Sequence, residues 1–196
     1  MFDKIASKLV ESETIPEEDK ELYEYGLRQV ASTFATAATT LVIGFILGMV
    51  LASALFMASY IPLRSYAGGY HARTPLRCYI FSLVLTVGVL LGIRYFPHDL
   101  ALTAGLVLAA GAIILVFAPF ADENKPLDEI EKKVFRKRMR IVLFAEIVLI
   151  SAFWALGWTW VAVCIAVSVA VAGLMVIVGL LRNAIRRSKR PHTGHE

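Results

Sequence analysis

The feature that constrains this chain most is a rhythm of long apolar runs broken by short charged stretches. Apolar residues fill about 29–63, 79–93, 100–118, 141–156 and 159–181, and nearly every charge falls between these runs. With 58% hydrophobic and only 18% charged residues, and a mean hydropathy of +0.66, the chain has too little polar surface for a soluble domain of 196 residues. Runs of this length suit helices that cross a bilayer, whose hydrocarbon core of about 30 Å takes about 20 residues. The pattern predicts an all-α protein, a polytopic transmembrane helical bundle.

The run from Gln29 to Leu63 needs separate treatment. As one straight helix it would extend about 52 Å, well beyond the hydrocarbon core. Two short spans turning near Gly44 to Gly48 fit better than a single tilted helix with an interfacial extension. Ahead of it, Phe2, Ile5, Leu9 and Val10 share one helical face with Lys4 and Lys8 elsewhere, which predicts a short N-terminal amphipathic interfacial helix. Thr14, Pro16 and the acids Glu17, Glu18 and Asp19 then form a helix-start pattern. The charged start holds no apolar segment of the kind found in cleavable signal peptides, so none is expected. The expected organisation is an amphipathic cytoplasmic segment at 1–24, a membrane domain at 25–182 and a basic cytoplasmic tail at 183–196.

The distribution of Lys and Arg orients the bundle. Segment 1–28 carries four, the insert 64–77 three, the linker 121–140 seven and the tail 182–190 five, against Arg94 alone in the loop 94–99 and none near Gly157. With six spans, 19 of the 20 basic residues fall on one side, which the positive-inside rule assigns to the cytoplasm. The expectation is a multi-pass protein of the bacterial cytoplasmic membrane, with both termini, insert and linker inside. The net charge of +4 gathers beside apolar runs rather than along a groove, so nucleic acid is not expected as a partner. Two cysteines, Cys78 and Cys164, are too few for a disulfide framework.

The chemistry-bearing segment is the polar insert RSYAGGYHARTPLRC, Arg64 to Cys78. His71 and Cys78 are the minimum for a thiolate nucleophile with its general base. On one continuous helix their seven-residue spacing would separate them by about 10.5 Å along the axis, too far for a hydrogen bond. Joint action therefore requires the segment to fold back. Gly68 and Gly69 permit positive φ, and Pro75 ends any helix entering from His71. Thr74-Pro75 reads as the N-cap and first position of the next helix, which puts Cys78 near a positive helix end beside Arg77. Both features favour a thiolate. By spacing alone, one His and one Cys in a polar loop are more often unrelated than paired. Cys164, inside VAVCIAVSVA, reads as a small core or lipid-facing residue. His98, His192 and His195 carry no pattern.

The insert resembles the accessory gene regulator B family of membrane cysteine endopeptidases through Arg64, Gly68-Gly69, His71 and Cys78, in the pattern R-x3-GG-x-H-x6-C between apolar spans. Ala118-Pro119 followed by Asn124-Lys125-Pro126 adds a second match, and the likeness runs from about Tyr25 to Leu181. The resemblance implies cleavage of an acidic C-terminal tail from a short amphipathic propeptide, leaving a cyclic thiolactone or lactone for quorum sensing. It implies His71 as base and Cys78 as nucleophile, with no metal and no cofactor. Arg64, Gly68, Gly69, Lys125, Lys132, Lys133 and Arg136 would then bind or position the substrate. Arg64 also suits a snorkelling anchor, and the linker's basic residues also suit topology signals or contacts to anionic membrane lipids. Glu146 is the sole acid inside the expected spans. It should face the bundle interior, where it would meet His71 or pair with Arg64 or another basic residue; the alternative is a protonated acid merely tolerated near the interface. A homo-oligomer is compatible with all of this. A small transporter or exporter and an inert membrane scaffold are the alternatives, and both would leave Cys78 dispensable.

Overall fold

The computed structural model describes residues 2–12, 14–68, 75–120 and 128–188. Seven α-helices run through them: α1 (Phe2–Glu11), α2 (Lys20–Ile46), α3 (Val50–Ala67), α4 (Pro75–Tyr95), α5 (Leu100–Phe117), α6 (Glu129–Ala155) and α7 (Thr159–Ser188). A 3₁₀ turn, Glu17–Asp19, leads into α2, where Pro16 and the three acids announced a helix start. There is no strand among the described residues, so the all-α expectation holds for them. Three helices are long and apolar enough to cross a membrane: Arg77–Tyr95 within α4, Leu100–Phe117 and Thr159–Ile185 within α7. Val30–Ile46 in α2 is a shorter apolar helix.

The long run 29–63 breaks into two helices. Gly48 adopts φ +67° between α2 and α3, a conformation that residues with a Cβ rarely adopt, and the Met49 N–H returns to Gly44 O at 2.6 Å. This turn reverses the chain and packs α3 back against α2. The basic stretch 129–140 differs from the sequence expectation of a linker, because it forms the first turns of α6. Asp128 and Glu131 explain why: they make a reciprocal capping box, with the Glu131 carboxylate accepting the Asp128 N–H at 3.1 Å. Helix α2 runs through 24/25 and α7 through 182/183.

Helix α7 is the axis of the bundle. Ala162, Val163, Cys164, Ala166, Ser168, Val169, Ala172 and Val176 on it are all fully buried. One apolar cluster joins α7 to α3, α5 and α6 through Leu63, Ile114, Met139 and Leu143. A second joins it to α3 and α4 through Phe56, Leu90 and Ile93, with Ile43 of α2 and Leu47 just beyond it packed against the cluster. Small residues let the helices approach closely: a Cβ at Gly173 would stand 3.2 Å from both the Cβ and the carbonyl oxygen of Ala110 on α5. Helices in lipid have little hydrophobic drive to associate with one another, so contact of this kind supplies much of the attraction.

Candidate functional site

Three segments converge at the C-terminal end of α3. Helix α3 stops because Gly68 takes φ +73°, and its N–H caps back to Arg64 O at 3.2 Å. Gly68 forms a single parallel bridge with Phe120, whose N–H donates to Ala67 O at 2.9 Å. A Cβ at Gly68 would run into the Phe120 carbonyl, so this position needs glycine for both its dihedral and its space. The third segment is the start of α6. The Tyr66 ring meets Phe135 edge-on at 6.0 Å, and the Arg138 guanidinium lies 5.7 Å from the Tyr66 centroid.

Cys78 occupies the first turn of α4, half-buried, with Arg77 exposed beside it. The turn is anchored to α2 by a 2.7 Å hydrogen bond between Tyr79 Oη and Thr39 Oγ1. Arg64 lies in the last turn of α3, Gly68 ends that helix, and Cys78 follows ten residues later in the first turn of α4. Arg64, Gly68 and Cys78 therefore belong to one end of the bundle. His71, Gly69 and Lys125, as well as the Thr74 expected to cap α4, lie outside the described residues.

The other basic candidates project from the first turns of α6. Lys133 and Arg136 are exposed, and Lys132 is half-buried. Lys132 is partly committed, since its ammonium donates to Glu129 Oε1 at 2.7 Å, and this contact holds the Glu129 carboxyl below the usual carboxylate range. Glu146 is only 4% exposed and faces the interior between α3 and α6. Its Oε1 accepts a hydrogen bond from Ser59 Oγ at 2.9 Å, so its partner among the described residues is a neutral hydroxyl, while His71, one of the partners expected from sequence, lies outside them. Its Oε2 has no hydrogen-bond partner among the described residues. Cys164 is fully buried in the second apolar cluster, where Ser168 Oγ donates to its carbonyl at 2.9 Å. No group of three His, Cys, Asp or Glu side chains that could hold a metal ion occurs among the described residues.

Ser59 and Tyr66 went unnoticed in the sequence. They gave no signal, because their partners Glu146, Phe135 and Arg138 lie about 70 or more positions away in the chain.

Comparison with known proteins bears on this site. The model of the family described as Accessory gene regulator B matches residues 2–178. An AgrB-like protein of Clostridium perfringens (strain SM101 / Type A) is 26% identical over 94% of this chain and 93% of its own. The Accessory gene regulator protein B of Staphylococcus haemolyticus (strain JCSC1435) is 28% identical over 66% of this chain and 68% of its own. Its counterpart in Staphylococcus carnosus (strain TM300) is 33% identical over 49% of each chain. No solved structure matches.

Proposed function

Because this chain belongs to the accessory gene regulator B family of quorum-sensing proteins, we propose that it is a membrane cysteine endopeptidase acting on a short amphipathic propeptide. The observation that carries this reading is the place of Cys78. It is the half-buried thiol in the first turn of α4, beside the end of α3 that presents Arg64, and the other cysteine is sealed inside the bundle. His71 precedes Cys78 by seven residues, and Pro75 starts a new helix between them, so the two need not lie on one helix.

In this mechanism His71 takes the thiol proton and the Cys78 sulfur attacks the scissile carbonyl. A C–S bond forms, the tetrahedral intermediate collapses, and the acidic tail leaves with its new amine protonated from His71. A thioester remains on Cys78. A thiol or hydroxyl within the propeptide then attacks that thioester, closes a thiolactone or lactone ring and returns Cys78 as thiolate. Exchange of one thioester for another is nearly balanced, so the enzyme's task is to hold the substrate ready and to keep water out. Arg64 and the exposed basic residues of α6, Lys133 and Arg136 foremost, attract the acidic tail. Gly68 shapes the turn that leads into the His71 segment.

The accompanying topology has α2 to α7 as six spans, with both termini and the basic segments in the cytoplasm. The break at Gly48 supports it, since two helices before Arg64 return the chain to its starting side.

The decisive experiment uses the reconstituted full chain and a synthetic peptide with an internal cysteine and an acidic C-terminal tail. Cys78→Ala and His71→Ala should each abolish cleavage, while Cys164→Ala should retain it. Cleavage persisting in Cys78→Ala at normal membrane levels would leave a transporter or scaffold as the better reading.

A further inference from the structure

A nucleophile works only where its attacking atom is held in place, and Cys78 sits in the first turn of a helix. That turn lacks intrahelical partners for its N–H groups and opens more easily than the turns behind it. The apolar cluster that joins α3 to α4 gives little help at this height. Its buried members are Ala52 and Phe56 from the first half of α3 and Val89, Leu90 and Ile93 from the last part of α4. Leu90 lies about 18 Å along the helix axis from Cys78.

Beside Cys78 the tie runs to α2 instead. Tyr79 Oη and Thr39 Oγ1 are 2.7 Å apart. Thr39 Oγ1 also donates to Ala35 O at 2.8 Å, and a hydroxyl has one proton, so that proton is committed within α2. The bond between the helices therefore has one direction: the Tyr79 O–H donates to Thr39. Thr39 lies inside Val30–Ile46, the apolar part of α2, whose backbone carbonyls are taken up within the helix, so its hydroxyl oxygen is a rare acceptor there. A second pair, Thr40 Oγ1 and Thr86 Oγ1 at 3.3 Å, joins the same two helices about two turns further along α4.

We propose that Tyr79 and Thr39 are positioning residues for the nucleophile: their hydrogen bond fixes the rotation and height of the first turn of α4, and with it the place of the Cys78 sulfur. The proposal rests on the endopeptidase reading. Neither residue makes or breaks a bond with substrate. Tyr79 follows Cys78 directly in the chain, so any rotation of the turn that breaks its bond to Thr39 also swings the sulfur. Helix α2 packs against α3 as well, so it relates the Arg64 end of one helix to the Cys78 end of the other.

Tyr79→Phe removes the donor and keeps the ring. With reconstituted protein and the synthetic peptide above, kcat should fall by about 10-fold or more, since misplacing a reacting group by about 1 Å can cost about 10²-fold. KM should stay within about two-fold, because substrate binding is left intact. Thr39→Val removes the acceptor and should lower kcat in the same way, whereas Thr39→Ser keeps the hydroxyl and should restore it. The double variant Tyr79→Phe/Thr39→Val should be no slower than the slower single variant, because both changes remove one shared bond. Thr40→Val cuts the other α2–α4 pair, away from Cys78, and should keep kcat within about two-fold of wild type. A wild-type kcat in Tyr79→Phe, losses that multiply in the double variant, or an equal loss in Thr40→Val would overturn the positioning role. Cleavage surviving in Cys78→Ala would remove the endopeptidase reading instead, so the two failures are distinguishable.

Discussion

Ser59 on α3 donates its hydroxyl proton to the Glu146 carboxyl on α6 across 2.9 Å, inside an apolar bundle. The pair joins the helix that carries Arg64 to the helix that carries the exposed basic residues. Ser59 precedes Arg64 by five residues on α3, so a shift of α3 against α6 would move the candidate site as well.

That relationship predicts a structural role for Glu146. Ser59→Ala leaves a buried carboxyl oxygen without its donor, at a cost of about 1–3 kcal/mol. A lower Tm in detergent is expected for Ser59→Ala and for Glu146→Gln, with cleavage reduced only modestly. Cleavage falling by orders of magnitude in Glu146→Gln at unchanged Tm would place the carboxyl in the chemistry instead.

Gly68→Ala should damage the site more than its size suggests. At φ +73° and ψ −156° the backbone is in a region essentially reserved for glycine, which costs another residue about 1–3 kcal/mol, and the new Cβ would strike the Phe120 carbonyl. The α3 end and the 118–120 segment would have to separate. Strong loss of cleavage is expected, with the protein still inserted and helical by circular dichroism. Wild-type cleavage in Gly68→Ala would show that the Gly68–Phe120 bridge is dispensable.

Topology is open to impermeant thiol labelling in a Cys78→Ser, Cys164→Ala background. Ser65→Cys and Lys133→Cys, both at exposed positions, should resist an impermeant maleimide in intact cells, and Pro97→Cys should react. External labelling at Ser65→Cys would rule out six spans.

Charge on the first turns of α6 should govern substrate capture. Neutralising Lys132, Lys133, Arg136 and Lys137 together is expected to raise KM, most strongly at low salt, because such attraction is screened over about 8 Å at physiological ionic strength. Lys132 alone should matter least, since Glu129 already holds it. An unchanged KM would assign these residues to orientation and lipid contact only.

Several elements were legible before any coordinates. The helix-start pattern at Pro16 to Asp19, the helix beginning at Pro75 and the turn near Gly48 all depend on local backbone rules, and those rules act within a few residues. The extent of α6 was misread for a related reason. Its first turns are rich in charge, which hydropathy reads as loop, while the capping box that starts the helix needs only Asp128 and Glu131. A helix outside the hydrocarbon needs no apolar side chains, so hydropathy alone cannot mark where it begins.

What the sequence determined by itself was the kind of molecule: a helical chain with more apolar surface than water tolerates, and a polar insert carrying Arg64, Gly68, His71 and Cys78 at set spacings. Those properties belong to composition and to neighbours along the chain. What only the tertiary structure decided was which distant groups meet. Glu146 met the Ser59 hydroxyl, Arg138 settled over Tyr66, and Phe120 bridged to Gly68. The physical reason is that a helix's axial rotation and height in a bundle are set by the packing of small residues such as Gly173 on Ala110. That packing sums weak contacts over several helices, and no local stretch of sequence contains it.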